Sequence, residues 1–482
     1  MLHFNNKLLI IGYGSVARSF LPILLEHIKI PYKNITVIDF TDQRKFLKEW
    51  LKKGVRFFQE RITIHNLTKT LSAYVGSGGL IVDLAWNIDC IDILQWAYNN
   101  KVLYVNASLE EWDPYAEIHT RTSLEKSLYR RYVKLLEMVP QWNGATTAVV
   151  DHGANPGLIT HFTKKGIIDI AKKIIHNGKV SPKGREILEH LVKKEMFNHL
   201  AMKLGIKVIH CSERDTQITS KPKKINEFVG AWSIEGMVEE SIAPVEIGWG
   251  VHEKTLPPLA AIPDYGPKNQ VILSQMGINT WVRSWVPYQE YVGMIITHGE
   301  AFGISKLLTV MKGKKALYRP TVLYAYLPSD ATMSSLHELR CRGYELQQNK
   351  RVMTDEIKSG TDHLGALIMG HKYNSWWTGS ILSIEESRKL VPHQNATTVQ
   401  VAIGVVAAIV WMLANPKKGL CFPEDLPSDH ILNIAKPYLG KFVSEPVNWT
   451  PLANYQIFFI ENPYAQPDKG DVWQFRNFAF KP

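Results

Sequence analysis

Small residues with the spacing GxGxxA lie near the N-terminus, in the stretch LLIIGYGSVARSF at residues 8–20. Gly12 would allow a tight turn after a strand, and Gly14 would let the backbone approach a pyrophosphate. Ser15 and Val16 would open a helix whose N-terminus faces the phosphates. The pattern predicts a dinucleotide-binding turn, and the neighbouring elements must support it because the spacing alone is a weak signal.

An acidic residue ends the next apolar stretch, ITVIDF, at Asp39. A carboxylate at this place can accept hydrogen bonds from the ribose hydroxyls of an adenosine. Asp39 therefore favours NAD as the cofactor, while the nearby Arg44 leaves NADP open.

The first 110 residues alternate apolar strands with amphipathic helices, a pattern typical of a parallel sheet covered on both faces. The strands are predicted at Lys7–Gly12, Ile35–Phe40, Val55–Glu60, Gly79–Trp86 and Lys101–Ser108. A further strand, a Gly/Asn/Pro turn and a helix follow residue 143. We predict an α/β protein whose residues 1–160 form an N-terminal, Rossmann-type, doubly wound NAD-binding domain.

Ligands of such sheets bind at the carboxyl ends of the strands. We therefore predict cofactor contacts after the fourth and fifth strands, from Leu84, Ala85, Asn106 and Ala107. Glu110 follows the fifth strand at the same edge.

Short, aromatic-rich strands dominate the chain after about residue 166. Strands are predicted at Ile206–Gln217, Glu227–Gly236, Asn279–Pro287 and Glu290–Ile304. Residues 161–395 are predicted to form a mixed α+β substrate and dimerisation domain. Residues 396–482 are predicted to be a C-terminal helix and tail that pack back on both domains. The apolar run at 397–414 contains Gln400 and is short for a membrane span, so we expect a buried core helix.

Composition limits the class of protein. Hydrophobic residues make up 45% and charged residues 21% of the 482 residues, as in soluble globular proteins. The four scattered cysteines predict neither a metal site nor disulfides, and they fit the cytoplasm. The net charge of +11 comes largely from helical runs with interleaved acids and accompanies no nucleic-acid-binding motif, so we expect neither a nucleic-acid nor a membrane partner.

Long separated segments beyond the glycine turn resemble the bacterial homospermidine synthases, within the saccharopine-dehydrogenase-like enzymes. These segments are TTAVVDHGANPGLITHF, SERDTQ, EFVGAWSIEGMVEE, VEIGWG, NTWVRSW, THGEAFGI, YRPTVLYAY, SIEESR, QNATTVQV and DVWQFRNF. The resemblance implies that two putrescine molecules are converted into homospermidine and ammonia, with tightly held NAD reduced and reoxidised in each cycle. It also implies a homodimer.

The resemblance also implies catalytic residues. Trp232 would lie near the reacting carbon, where an electron-rich ring stabilises a cation. Glu240 and Glu110 would hold the amines, His298 would line the site, and Asn155 would face the nicotinamide. From the residues alone, these five could equally be a core tryptophan, solvated glutamates, a core histidine and a turn asparagine.

The sequence departs from the family at one position. Asn87 stands where the family carries an amine-binding aspartate, and Asp83 or Asp89 could replace the lost charge. Glu235 could replace Glu240 if the local register differs. Because putrescine is a dication, we expect an acidic pocket in this basic protein. Tryptophans that could exclude water from it are Trp249, Trp281, Trp285 and Trp376.

Two other functions compete with this interpretation. A saccharopine- or carboxyspermidine-type NAD(P)-dependent C–N oxidoreductase would need arginines for substrate carboxylates, and Arg214 and Arg283 are candidates. A non-catalytic protein that senses NAD or associates with nucleic acid would show a basic groove without acids beside the nucleotide.

Overall fold

The computed structural model describes residues 2–117, 119–178, 180–457, 461 and 466–480. Its first elements alternate between strand and helix as the sequence predicts. They are β1 (Leu2–His3), β2 (Leu8–Ile11), α1 (Ser15–His27), β3 (Ile28–Lys29), β4 (Ile35–Asp39), α2 (Arg44–Lys53), β5 (Arg56–Gln59), α3 (Leu67–Tyr74), β6 (Leu80–Asp83), α4 (Cys90–Asn100), β7 (Leu103–Asn106), α5 (Leu128–Met138), β8 (Ala148–Val149) and α6 (Leu158–His176).

The remaining elements form a second, mainly β, region. They are α7 (Pro182–Lys193), α8 (Phe197–Leu204), β9 (Val208–Asp215), β10 (Ile218–Thr219), β11 (Glu227–Gly230), α9 (Ile234–Ile242), β12 (Pro244–Gly248), β13 (Ala260–Ala261), β14 (Gln270–Met276), β15 (Trp281–Val286), β16 (Gln289–Ile296), α10 (Gly299–Leu307), β17 (Val310–Lys312), β18 (Lys315–Tyr318), β19 (Thr321–Leu327), α11 (Asp330–Cys341), β20 (Asn349–Val352), β21 (Ile357–Ser359), β22 (Thr361–His371), β23 (Asn374–Ser383), α12 (Ile384–Leu390), α13 (Ala396–Ala414), β24 (Leu420–Cys421), α14 (Ser428–Ala435), β25 (Lys441–Val447) and α15 (Phe475–Phe478).

A seven-stranded parallel sheet takes six of its strands from the N-terminal region. Its strand order is β24-β8-β7-β6-β2-β4-β5, which is the 3-2-1-4-5-6 order of a dinucleotide-binding fold with one additional strand. The order reverses beside β2, so the crevice for a ligand opens next to the glycine turn. The additional strand, β24, comes from far along the chain and pairs in parallel with β8.

A ten-stranded mixed sheet forms the second region. Its main path is β13-β14-β12-β19-β9-β22-β23-β25, and β15 and β16 pair beside β19. Among the strands that the structure describes in this sheet, only β19 and β9 pair in parallel. The predicted fold class, a Rossmann-type sheet with a mixed second region, is confirmed, whereas the boundaries at residues 160 and 395 stay predictions.

Helix α13 contains the apolar run and is the one described helix long and apolar enough to cross a membrane. Most of its residues are buried inside the protein, where it packs against α1 and α14. The Ser19 hydroxyl lies 3.0 Å from the hydroxyl of Thr398 between α1 and α13. The run is thus a core helix that holds the C-terminal region on the first sheet.

Two predicted strands are wrong in part, and both errors fall at the candidate site. The run predicted at Glu227–Gly236 leaves the strand after Gly230 and enters α9. The run predicted at Glu290–Ile304 ends as a strand at Ile296 and continues as α10. In each case, an apolar stretch crosses from strand to helix, so hydrophobicity alone did not mark the boundary.

Candidate functional site

The glycine turn after β2 leaves open space at the start of α1. Gly12 has a φ of +83°, and a Cβ atom there would lie 2.8 Å from the Leu84 carbonyl oxygen and 2.9 Å from the Ala85 Cα. Nothing lies within 4 Å of the Cβ position of Gly14, and no side chain in the described ranges caps the helix that begins at Ser15. Uncapped N–H groups beside open space fit a pyrophosphate.

Asp39 lies at the end of β4, directly beside this turn. Its Oδ2 atom accepts a hydrogen bond of 2.7 Å from the Tyr13 backbone N–H, and its Oδ1 atom accepts bonds from the backbone and hydroxyl of Thr41. The carboxylate is therefore held in place beside the glycine turn. Arg44 instead pairs with the exposed Asp42 at 3.0 Å.

The ends of β6, β7 and β8 are tied together by Asn106. Its side-chain amide donates to the Tyr104 hydroxyl at 3.0 Å and accepts from the Asp151 backbone N–H at 2.7 Å. Tyr104 in turn donates to Asp83 at 2.9 Å. Asn106 thus positions the strand ends from within. Ala107, the next residue, lies beside Gly153.

His298 lies between two carboxylates at the junction of β16 and α10. Its Nε2 atom is 3.2 Å from Oε1 of Glu240, and its Nδ1 atom is 3.1 Å from Oε2 of Glu300. Burial alone would lower the pKa of His298, but the two carboxylates hold this pKa well above its ordinary value. The two carboxylates therefore favour the imidazolium form of the ring.

Aromatic side chains connect Trp232 to His298. Burial raises the pKa of the Tyr326 hydroxyl, and the Trp232 indole lies close enough to lower this pKa in part. The Tyr326 and Tyr324 rings stack with centroids 5.5 Å apart. The Tyr324 ring lies 4.7 Å from that of His298. Trp232 lies just before α9, and Glu240 lies near the end of that helix. The segment from β11 to α9 therefore brings both predicted residues close to His298.

Asn155 reaches an acid that the sequence interpretation missed. Its side-chain N–H donates to Oε2 of Glu213 at 2.6 Å, and the Tyr324 hydroxyl donates to the same oxygen at 2.5 Å. Burial raises the pKa of Glu213 to about 8. On the adjacent strands, Asp215 and Asp362 lie directly opposite each other in the β9–β22 register. Burial raises the pKa of both carboxyls.

Glu110 lies on the opposite side, near the first sheet. Its Oε1 atom accepts from the Ser108 hydroxyl at 2.7 Å, and burial together with the charge of Glu239 raises its pKa to about 8. Glu239 is adjacent to Glu240 and is held by the Trp86 indole at 2.9 Å and by Arg131 at 3.2 Å. Glu239 therefore links the surroundings of Glu110 and Glu240.

Asn87, the position that departs from the family, has a buried Oδ1 atom without a hydrogen-bond partner in the described part of the chain. Neither nearby acid is free to replace its missing charge. Asp89 caps α4 by accepting from the N–H groups of Ile91 and Asp92. Asp83 accepts from Tyr104 and Ala85.

The buried carboxylate oxygens that lack a hydrogen-bond partner all lie in this region, among the described residues. They belong to Glu110, Asp151, Asp215, Glu300 and Asp362, which we call the buried acid group. Burying a charged oxygen without a hydrogen-bond donor costs free energy. These carboxyl groups therefore either carry a proton or require cationic donors. The sequence signal for them was weak: charged residues at alternate positions within the buried strand β9, and acids directly after strand ends.

Other predicted residues lie elsewhere. Glu235 pairs with Lys350 at 2.7 Å, away from His298. Arg283 pairs with Glu290 at 2.8 Å, and Arg214 donates to the Asp215 and Pro328 carbonyls. The proposed water-excluding tryptophans sit in hydrophobic packing: Trp249 against Phe475, Trp376 bonded to Ser444, and Trp281 and Trp285 at the edges of two core clusters.

The fold and site define a dinucleotide-binding enzyme of the saccharopine dehydrogenase type. Residues 8–150 match the Saccharopine dehydrogenase NADP binding domain, and residues 153–447 match the Saccharopine dehydrogenase C-terminal domain. Saccharopine dehydrogenase from Saccharomyces cerevisiae, at 12% identity and a TM-score of 0.51 over 92% of this chain and all of that one, shares the fold alone.

More specifically, the chain belongs to the homospermidine synthase family. It is 37% identical to the homospermidine synthase of Blastochloris viridis, covering 98% of this chain and 97% of that protein. It is 36% identical to that of Mesorhizobium japonicum over 99% and 97% of the two chains. The crystal structure of the Legionella pneumophila enzyme in complex with NAD matches with a TM-score of 0.88 at 33% identity, covering 100% and 99%. The predicted family and the prediction of an enzyme of this type are confirmed.

Proposed function

We propose that this chain is an NAD-dependent homospermidine synthase that joins two putrescine molecules and releases ammonia. The observation that carries the proposal is the buried acid group, within a protein of net charge +11. Alkyl ammonium groups are the donors that such unpartnered carboxylate oxygens require. Family membership supports the same reaction.

NAD is the proposed cofactor because the turn fits its pyrophosphate and Asp39 fits its adenosine ribose. Gly14 leaves room for a phosphate at the N-terminus of α1, where uncapped N–H groups favour negative charge. When bound, NAD would accept a hydride from an amine α-carbon and later return it. Leu84 and Ala85 would pass close to it, because their backbone already lies against Gly12.

The amine substrate is proposed to lie between the two sets of acids. Trp232 would present its ring to the cationic carbon–nitrogen centre. Glu213, oriented by Asn155 and Tyr324, and the Asp215–Asp362 pair would receive one ammonium end. Glu110 would receive the other end on the side of the first sheet. A diamine therefore fits this site better than a monoamine.

His298 is proposed to set the charge of the reacting centre. In its imidazolium form between Glu240 and Glu300, it neutralises part of the negative charge and can take a proton at one ring nitrogen only by giving one up at the other. Glu240 is the acid whose pKa is raised mainly by burial and which contacts the ring directly. It is therefore the candidate general base for a substrate ammonium.

The C–N oxidoreductase alternative is less well supported. Its carboxylated substrates need arginines, but Arg283 is paired with Glu290, and the Arg214 guanidinium beside Asp215 already donates to the Asp215 and Pro328 carbonyls. A surface rich in acceptors repels a carboxylate and attracts an amine.

The assembly and surroundings of the protein are also proposals. A homodimer is proposed from family resemblance. A cytoplasmic location is supported by four cysteines that are all free thiols, three of them buried. We propose no nucleic-acid or membrane partner, since the membrane-length helix α13 lies in the core.

The test is to incubate the purified protein with putrescine and a catalytic amount of NAD. Homospermidine and ammonia should form in equal amounts without net NADH. Stoichiometric NADH would instead indicate a C–N oxidoreductase, and the absence of product would reject the proposal. The Gly14→Ala variant is the control, because it should fold but lose the product.

A further inference from the structure

Asp151 is a member of the buried acid group on the cofactor side of the site, and the proposed reaction gives it no individual role. It follows β8 and is 2% exposed. Its backbone has a φ of +60°, and its N–H donates to Asn106 Oδ1 at 2.7 Å. Asp151 is therefore fixed at the carboxyl end of the parallel sheet, the edge where dinucleotides bind in this fold.

The side chain of Asp151 points at the start of α10. Its Oδ2 atom is buried and has no hydrogen-bond partner in the described part of the protein. A Cβ atom on Gly299, the first residue of α10, would overlap with both this oxygen and the Tyr132 hydroxyl. Only glycine thus allows the carboxyl to sit against the backbone beside His298 and Glu300.

Four charged groups from three other elements face Asp151. Glu300 and His298 come from the start of α10, Glu424 from the segment before α14, and Glu240 from α9. Glu424 is itself paired with Lys306 at 3.4 Å. Burial raises the pKa of Asp151 well above its ordinary value, Glu300 raises it further, and His298 opposes both effects.

We propose that Asp151 is the proton store of this site: it takes up a proton when the cofactor holds the hydride and releases that proton when the hydride is returned. The inference rests on the proposed function. It assigns to Asp151 a change of charge that follows the redox state of the cofactor. A positive nicotinamide ring favours the carboxylate, whereas the neutral reduced ring favours the carboxylic acid.

The balance of the reaction requires such a store. Two putrescine dications give one homospermidine trication and one ammonium ion, so no proton is gained or lost overall. For oxidation, the donor ammonium must lose an N–H proton, which Glu240 takes up. His298 then relays the charge towards Glu300 and Asp151 by gaining a proton at Nε2 as it gives one up at Nδ1. The α-carbon then loses its hydride to NAD, the second amine displaces ammonia to form a C=N bond, and the returned hydride reduces it. The stored proton then passes to a basic nitrogen atom of the products.

Calorimetry of cofactor binding tests this inference without turnover. NAD⁺ and NADH are titrated into the full-length protein at neutral pH, in two buffers of different ionisation enthalpy. NAD⁺ binding should release a proton that NADH binding does not release, and NAD⁺ affinity should rise with pH by linkage. Equal proton release for both forms would overturn the inference, and this comparison needs no variant.

The Asp151→Asn variant assigns the proton. It should abolish the difference between NAD⁺ and NADH and remove one infrared carbonyl band of a neutral carboxylic acid. The matched control is Glu253→Gln, which changes another buried acid, bonded to Thr321 and the Phe475 N–H far from the site; it should keep the difference. Persistence of the proton difference in Asp151→Asn would overturn the assignment.

Turnover separates this inference from the proposed function. If the unaltered protein makes homospermidine, Asp151→Asn should lower kcat by about 100-fold while changing KM for putrescine little. If this variant kept the kcat and the pH profile of the unaltered protein, Asp151 would not be the proton store. If the unaltered protein makes no homospermidine, the proposed function fails, whereas the calorimetric result still decides the charge change at Asp151.

Discussion

The Nε2 atom of His298 lies 3.2 Å from Oε1 of Glu240, and both groups are carried at helix ends of the second region. This contact favours the cationic form of the histidine and leaves Glu240 as the partly exposed member of the pair, with 22% of its side chain accessible. The pair is therefore the point at which a substrate proton meets the buried charges behind it.

Glu240→Gln should lower kcat/KM for putrescine by about 100-fold, because it removes the candidate base. Since Glu240 raises the pKa of His298, the variant should also shift the alkaline limb of the pH profile to lower pH. Steady-state kinetics across pH measure both effects. Glu235→Gln, on the same helix and paired with Lys350 at the surface, is the matched control and should stay within about twofold of the unaltered protein. Equal losses in both variants would contradict the role of Glu240.

Substitutions at the two glycines of the turn should have different effects. Gly14→Ala adds a methyl group in open space at an ordinary φ of −73°, so the melting temperature without cofactor should not change, while NAD should no longer raise it. Gly12→Ala should lower the melting temperature even without NAD, because its Cβ meets the Leu84 carbonyl at a positive φ. Thermal unfolding with and without NAD measures both. A normal NAD response in Gly14→Ala would argue against this turn as the pyrophosphate site.

Trp232→Leu should raise KM for putrescine about tenfold, in line with the loss of a cation–π contact of ~1–2 kcal/mol. Trp232→Phe should have a smaller effect, since it keeps an aromatic face and loses only the indole N–H near Tyr326. Initial-rate kinetics give the KM values. The control is Trp376→Phe, which loses a bond to Ser444 in the core and should lower stability with KM unchanged. Equal KM values for the leucine and phenylalanine variants would exclude the ring as the cause.

Acid should destabilise the protein through its buried histidines. Burial lowers the pKa of His210 to about 3, while an unfolded histidine has a pKa of about 6.5. The stability that neutral His210 provides is therefore present above pH ~6.5 and is lost as the pH falls towards 3, by ~2 kcal/mol at pH 5. His210→Gln should make the urea midpoint less dependent on pH between 7 and 5. The same change at the exposed His176 should leave that dependence as it is.

The parts that the sequence predicted well are those with local signals. The glycine turn, Asp39 and the strands of the first sheet are each visible within a short window, because a parallel buried strand is continuously apolar. Trp232, Glu240 and His298 came instead from family resemblance. Their residue types alone could not distinguish them from ordinary core or surface residues.

The parts that were missed depend on pairing between distant strands. Asp215 and Asp362 are 147 positions apart in the chain, and they face each other only because of the register between β9 and β22. Likewise, Asp151 and Glu300 meet because a helix start from the second region packs on a strand end of the first. No window of sequence contains such a relationship, so the full extent of the acidic pocket required three-dimensional structure.

Strand β24 has a consequence for how this protein is made. The nucleotide-binding sheet receives its seventh strand, Leu420–Cys421, only after more than four hundred residues have been synthesised. Until then, the edge at β8 is open on the ribosome, and the N-terminal region has an exposed template for pairing with other chains. An isolated fragment that ends near residue 160 would lack β24 permanently and keep this open edge. The cofactor-binding sheet is therefore completed only late in translation, and the N-terminal region does not form the whole sheet by itself.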